Sequence, residues 1–370
     1  MRKILISTVS ALALTGSLFT MSAYADIIIG FIGPITGSVA AYGIQANNGV
    51  KVAIDEFNKK GGINGEKLVL KVFDDGAEPK QGVSAANQLV GEGIQYVVGP
   101  VTSNIALPVS NILEENDVLM ITPSSTTPEL SSRGLWNVLR TTGRDDQQGD
   151  YAANYFIQHL KDKRIAIVHD RATYGKGLAD AFKSALNKGG VTEVFYGNIT
   201  PGEKDYSVMV SRLKQEKVDY VYFGGYHPEA GLLLKQLREQ GVDAPLIGGD
   251  GFNTSELWSI AGNAAEGSLF TNAIDVKGNP DAQDAIKALK AQNIPPETFA
   301  INGYAAVEVL AYGIEKAGSA DDPEAVAKAV KSGEPIKTTL GEITYGDRGD
   351  ITSKVFGMYK WHNGEIISAE

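Results

Sequence analysis

Residues 96–126 read YVVGPVTSNIALPVSNILEENDVLMITPSST. A short β-branched run at 96–99 ends in Gly99-Pro100. A stretch at 103–116 spaces its apolar residues as one face of a helix, and a second apolar run at 119–121 leads into Pro123-Ser124-Ser125-Thr126. Strand, helix and strand in that order imply parallel strands joined by a right-handed crossover. The same alternation extends outward in both directions. Upstream, strands are expected at 27–31 and 67–74, with helices at 45–60 (Val50, Ala53, Ile54 and Phe57 on one face) and 79–92. Pro79 and Pro108 suit first-turn and exposed positions. Downstream the pattern restarts, with strands at 164–169, 192–196, 220–223 and 245–248. Helices at 147–160, 176–189, 206–217 and 229–240 lie between them. Two similar α/β halves of about 120 residues are the simplest reading, with ~150 residues per domain as the prior.

The tail departs from that rhythm. It carries helices at 300–316 and 323–331, then strands at 339–345 and 355–361 around a turn at 346–350. A tail shared by both halves makes the chain cross between them near 141–145, 272–276 and 345–351. Several parallel crossings form a hinge. Within the last, Arg348-Gly349-Asp350 reads as a hinge turn rather than an adhesion motif.

Composition narrows the class. Glycine is 42 of 370 residues, above the usual ~7 %, and charged residues are 21 %, which excludes disordered, collagen-like and coiled-coil chains. Met1-Arg2-Lys3, an apolar stretch to Phe19 and Ala23-Tyr24-Ala25 have the layout of a secretory signal peptide, with cleavage expected after Ala25. With Arg2 and Lys3 set aside, 32 basic side chains face 44 acidic ones, a net charge of −12. That argues against nucleic acid or an anionic membrane as partner. No later run approaches the ~18 apolar residues of a membrane span. There is no cysteine, hence neither a disulfide nor a lipoprotein anchor. The expectation is a freely soluble exported protein.

Enzyme signatures are missing: no dinucleotide fingerprint, phosphate loop, nucleophile elbow or His-Glu-x-x-His occurs. His169 and His227 each follow a strand, but two imidazoles fall short of the three or four ligands of a metal site. A different set converges. In open α/β sheets ligands bind beyond the carboxyl ends of the strands. In the first half Val101-Thr102-Ser103 and Ser124-Ser125-Thr126 fall there, offering hydroxyls and free amides at a helix start. In the second half Tyr174, Tyr226 and Asp250 do, offering aromatic faces and one carboxylate. Together they suit a zwitterion. Its carboxylate would meet Ser103 and Thr126, and its ammonium would meet Asp250, the Thr126 hydroxyl and the Ser124 carbonyl.

The chain from residue 26 onward resembles the periplasmic leucine/isoleucine/valine-binding proteins, solute receptors of branched-chain amino acid ABC importers. The stretches that carry this are Tyr42-Gly43, Lys60-Gly61-Gly62-Ile63, 74–81, 120–130, 139–143, 165–170 with Tyr174-Gly175, and 223–229. The resemblance implies an α/β, two-lobed, type I periplasmic binding protein. Each lobe would be a parallel sheet flanked by helices, with three hinge crossings. Lobe 1 would be 26–142 with 275–347, and lobe 2 would be 143–274 with 348–370. It puts the carboxylate ligands at Ser103 and Thr126, and the ammonium contacts at Ser124, Thr126 and Asp250. The side-chain pocket falls on Tyr42, Val101, Thr102, Ser125, Tyr174, Tyr226 and Phe299.

The resemblance further implies a non-catalytic monomer without cofactor or metal, acting in the periplasm with an inner-membrane ABC permease. Three departures bear on specificity and stability. Asp250 stands where leucine-type receptors usually carry Glu, Ser124 and Ser125 replace Ala, and the family's frequent disulfide is missing at both Ala77 and Thr102. Receptors for alanine, proline or a GABA-like amino acid, and a chemosensory ligand domain, are the competing readings.

Overall fold

Strand β1 (Ile27–Gly33) is Ile-Ile-Ile-Gly-Phe-Ile-Gly, buried along nearly its whole length, as a strand covered on both faces must be. It lies inside the first of two main sheets in a computed structural model that describes residues 26–353 and 355–369. With β2 (Leu68–Asp74), β3 (Tyr96–Val98), β4 (Leu119–Thr122) and β5 (Val138–Arg140) the order is β2-β1-β3-β4-β5, every pair parallel. Successive side chains point to opposite faces. Val97, Met120 and Val138 therefore pack with Leu89, Ile105 and Val109 of helices Pro79–Gly91 and Ser103–Glu114. Val98, Ile121 and Leu139 join the other core, formed with helices Ala40–Lys59 and Thr298–Ala317. Those two helices touch backbone to backbone. A Cβ on Gly49 would lie 1.9 Å from the Ala300 carbonyl oxygen, and one on Gly303 2.3 Å from that of Ala46. Glycine there provides room for close approach, and the late helix is thereby fixed onto the first sheet.

The second sheet takes β6 (Ile165–His169), β7 (Phe195–Asn198), β8 (Tyr220–Gly224), β9 (Leu246–Gly248) and β10 (Leu269–Ala273). A small hairpin, β11 (Ile336–Thr338) and β12 (Gly341–Ile343), stands apart, and its Ile336 and Ile343 join the first lobe's core. The chain then returns to the second sheet as β13 (Phe356–His362) and β14 (Glu365–Ser368), giving the order β14-β13-β10-β9-β8-β6-β7.

The two parallel sheets expected from the sequence are present, and the second carries an antiparallel edge. Strands β6 to β10 are parallel, but β13 runs antiparallel to β10 and β14 antiparallel to β13. Strand β13 follows the third crossing directly, without a helix to carry the chain back. Its hairpin closes on Asn363-Gly364, both at positive φ (51° and 84°), as a two-residue primed turn requires. The strand expected at 339–345 is instead the turn and second arm of the β11–β12 hairpin, and the one expected at 192–196 is shifted to Phe195–Asn198.

The chain passes between the sheets after β5, after β10 and between β12 and β13. At the third passage Gly346 and Asp350 close a turn, and the Asp350 carboxylate is taken by Arg140 (2.8 Å) and Arg144 (3.0 Å). The turn is thereby tied to the end of β5 and to the start of the helix Asp145–His159. The signal-peptide expectation lies outside the described residues.

Burial also sets a pH response. Desolvation pushes the carboxyl of Asp170 up to about 7 and that of Glu308 up to about 7. Between the ordinary carboxylate range and those values the unfolded chain gives up protons that the folded one keeps, so stability falls as pH rises. His169 and His227, both lowered by burial, act in the opposite sense only below about pH 6.5. Urea denaturation should therefore show about 1–2 kcal/mol of stability lost between pH 6.5 and 8. A profile that rises over this window would contradict the assignment.

Candidate functional site

Nine of the eleven residues singled out from sequence surround one narrow space between the sheets: Tyr42, Val101, Thr102, Ser103, Ser124, Tyr174, Tyr226, Asp250 and Phe299, joined by Gly251. Ser125 and Thr126 are buried and do not line it. The loop after β3 is turned sharply at Gly99, whose φ is +122° and whose Cβ would lie 2.1 Å from the Ile32 carbonyl oxygen, so only glycine fits. That turn delivers Val101, Thr102 and Ser103 to the space, with Ser103 opening the helix Ser103–Glu114.

Ser103 Oγ accepts from the Thr127 amide (3.3 Å) and from Ser125 Oγ (3.2 Å). Both acceptor positions are filled, so its own hydrogen is left to donate. The helix N-terminus adds unpaired amides and positive potential. This wall is built for an anion. Ser125 braces Ser103, and Ser124 Oγ is spent on the Val101 carbonyl at 2.7 Å.

The opposite wall is acidic. Asp250 follows β9 and is 7 % exposed. Its Oδ1 accepts from Tyr174 Oη (2.8 Å) and Gln148 Nε2 (3.0 Å), which leaves Oδ2 for another donor. Burial raises its pKa, and those two donors, with the Asp250 and Gly251 amides, pull the other way. Between the walls the aromatic rings interlock. Tyr174 stacks on Tyr226 (centroids 4.9 Å apart), and Tyr42 meets Phe299 edge-on (5.1 Å) and lies tilted to Tyr226 (5.8 Å). An apolar body with a cation at one end and an anion at the other fits such a lining.

Tyr42 also spans the two sheets' cores. Its hydroxyl donates to the Gly251 carbonyl (2.7 Å) and lies 2.6 Å from His227 Nδ1, while His227 Nε2 is 2.7 Å from Glu256. His227 is thus a structural bridge, pushed down to about 4 by burial. His169 accepts from the Arg171 amide at 3.0 Å. Among the described residues no group of three metal-ligating side chains occurs.

Sequence reasoning missed Gln148, His227 as a partner of Tyr42, and Asp145. It had allowed lobe 2 a single acidic group at the site. Asp145 is wholly buried and close enough to Asp250 for each carboxylate to feel the other.

Residues 26–365 match the periplasmic binding protein family. The Leu/Ile/Val-binding protein BraC3 of Rhizobium johnstonii is 58 % identical over 365 residues, which cover 99 % of this chain and 100 % of BraC3. The chain belongs to the Leu/Ile/Val-binding family of periplasmic binding proteins. It is a family of binding proteins, not of enzymes. Two solved structures share its fold. The leucine-binding protein LivK of Thermotoga maritima is 28 % identical with a TM-score of 0.87, covering 93 % of this chain and 98 % of its own. LivJ of Streptococcus pneumoniae, in complex with isoleucine, is 26 % identical with a TM-score of 0.85, covering 93 % and 99 %. The two-lobed type I architecture expected from the sequence is therefore the fold of this chain, with the antiparallel edge of the second sheet as its one amendment.

Proposed function

We propose that this protein is a periplasmic receptor that closes on one branched-chain aliphatic amino acid and delivers it to an inner-membrane ABC permease. The observation that carries the reading is the pairing of opposite walls. A Ser103 hydroxyl with its hydrogen free, at a helix N-terminus, faces the Asp250 carboxylate with its Oδ2 free, across rings that suit an aliphatic side chain. The ligand carboxylate would sit on Ser103 and Thr126. Its ammonium would sit on Asp250, Thr126 and the Ser124 carbonyl, and Tyr42, Val101, Thr102, Ser125, Tyr174, Tyr226 and Phe299 would shape the side-chain space.

The lobes would be 26–142 with 275–347 and 143–274 with 348–370, hinged at the three passages, and the protein would be exported with cleavage after Ala25. BraC3 is named for leucine, isoleucine and valine, and LivJ holds isoleucine; both support the ligand class. Asp250 favours a second reading. Its short side chain is drawn back by Tyr174 and Gln148, which leaves room for the ammonium of a different small amino acid such as alanine, proline or a GABA-like ligand.

Titration calorimetry tests this. Each buried methylene contributes roughly 0.8 kcal/mol, so leucine, isoleucine and valine should bind far more tightly than glycine, with charged amino acids poor. Glutamate or arginine as the best ligand would overturn the pocket. Alanine or proline ahead of leucine would favour the second reading.

A further inference from the structure

The helix Asp145–His159 begins at Asp145, and one turn later the Gln148 amide reaches two carboxylates at once. Nε2 donates to Asp250 Oδ1 at 3.0 Å and to Asp145 Oδ1 at 3.3 Å. Asp145 is wholly buried, and its Oδ2 has no well-formed hydrogen bond. Thr126 Oγ1 is buried in the same condition. The two groups are neighbours: the Asp145 amide donates to the Thr126 carbonyl at 2.8 Å, and the Thr126 hydroxyl is near enough to act on the Asp145 carboxyl.

The surrounding charges are already matched. Arg140 pairs with Asp350, and Arg144 bridges Asp350 and Asp146, two guanidinium groups against two carboxylates. From the second lobe the groups that face Asp145 are Asp250 and the neutral phenols of Tyr174, Tyr222 and Tyr226, whose own ionisation burial suppresses. Arg140 also acts on Asp145 and favours its charged form, but its guanidinium is engaged by Asp350, and among the described residues no cation forms an ion pair with Asp145 or Asp250. A bound amino acid brings one ammonium group. Two buried carboxyls with one cation between them cannot both ionise, so one keeps its proton. Asp250 lines the ligand space and Asp145 stands behind it, which assigns the proton.

We propose that Asp145 is a second carboxyl of the ligand site, held as the neutral acid while Asp250 carries the charge, and that it positions Thr126 for the ligand's carboxylate. This rests on the amino-acid reading given above. The neutral acid donates its O–H to Thr126 Oγ1, and the Thr126 hydrogen is then free to donate to the ligand carboxylate. An ionised Asp145 would take that hydrogen for itself and turn the Thr126 lone pairs toward the ligand, acceptor against acceptor. Burial first and the charge of Asp250 next raise the Asp145 carboxyl well above the usual carboxylate range, outweighing the Thr126 hydroxyl and Arg140, which pull it down. Asp145 is thus a positioning residue that fixes the polarity of a hydroxyl two residues from Ser124.

Carboxyl carbon NMR on aspartate-labelled protein, with leucine bound at pH 7, reads the state directly. The Asp145 resonance is the one missing from Asp145→Asn or, where Asn disturbs folding, from Asp145→Glu. It should report a neutral acid. In calorimetry Asp145→Asn, whose amide can donate to Thr126 as the acid does, should bind leucine within about threefold of wild type. Asp145→Ala should bind about tenfold more weakly. An ionised Asp145 in the complex, or an Asp145→Asn variant as weak as Asp145→Ala, overturns the proposal. A wild-type protein that binds no amino acid at all overturns instead the reading on which it rests.

Discussion

Asp250→Ala should weaken amino-acid binding by roughly 30-fold or more while leaving the protein folded. The ligand's ammonium carries a full charge into a space enclosed by aromatic rings, where an unpaired ion is very costly. Removing one partner of such a pair typically costs about 2–5 kcal/mol, and 1.4 kcal/mol is tenfold in affinity. Stability should hold for a reason visible in the structure. The Asp250 carboxyl is itself buried, so its removal relieves a desolvation cost. Tyr174 Oη also keeps the Gly251 amide as a donor to it at 3.0 Å. Asp250→Asn retains the shape and one acceptor and should lose less. Asp250→Glu advances the carboxylate by one methylene and should shift preference among small amino acids. Calorimetry with circular dichroism on the three variants decides the matter. Wild-type affinity in a folded Asp250→Ala protein would place the ammonium elsewhere.

Much of this site was legible because it is local. Val101-Thr102-Ser103 and Ser124-Ser125-Thr126 each follow an apolar run directly, and the end of a parallel strand is where a doubly wound sheet exposes its ligand face. Tyr174, Tyr226 and Asp250 obey the same rule in the second sheet. The residues that escaped are those whose role depends on distant partners. Gln148 and Asp250 are 102 positions apart, and Tyr42 and His227 are 185 apart, so no local spacing signals either contact. Asp145 sits in a polar run, Arg144-Asp145-Asp146-Gln147-Gln148, that reads as an exposed helix start. Its complete burial, and the matching of Arg140 and Arg144 by Asp146 and Asp350, distinguish it from its neighbour.

The strands that escaped are short or late. Strand β5 has three residues, and β10, Leu-Phe-Thr-Asn-Ala, mixes polar with apolar because it leads into a hinge passage. The antiparallel β13–β14 pair could not be told from a further parallel unit, since direction is set by the absence of a helix after the third passage rather than by the strands' own composition.

Arg140→Met should be the most destabilising single change near the site, at about 3–5 kcal/mol. Arg140 closes β5, is wholly buried, and joins three parts of the chain. Its Nε meets Asp350 in the third passage, Nη1 donates to the Ser125 carbonyl (3.1 Å) and Nη2 to Ser131 Oγ (3.0 Å). Both Nη atoms also reach the Thr127 carbonyl, at 3.3 Å. Its own backbone is held from the same passage, by the Gly349 carbonyl and the Tyr345 hydroxyl. Methionine fills much of the volume but supplies no donor. Buried carbonyls are then left unpaired, and Asp350 keeps Arg144 and the Ser131 hydroxyl.

Affinity should fall with stability, because Ser125 and Thr127 frame Thr126 and brace Ser103, and a loosened loop must be reordered by the ligand. A second substitution separates the two effects. Asp350→Leu beside Arg140→Met removes the stranded charge and should recover part of the stability, as apolar replacement of a buried ion pair commonly does. It cannot restore donors to the Ser125 and Thr127 carbonyls, so binding should stay about tenfold weaker than in the wild type. Urea denaturation and calorimetry on the single and double variants measure both quantities. Full recovery of affinity in the double variant would show that Arg140 serves the hinge alone and leaves the carboxylate loop to hold itself.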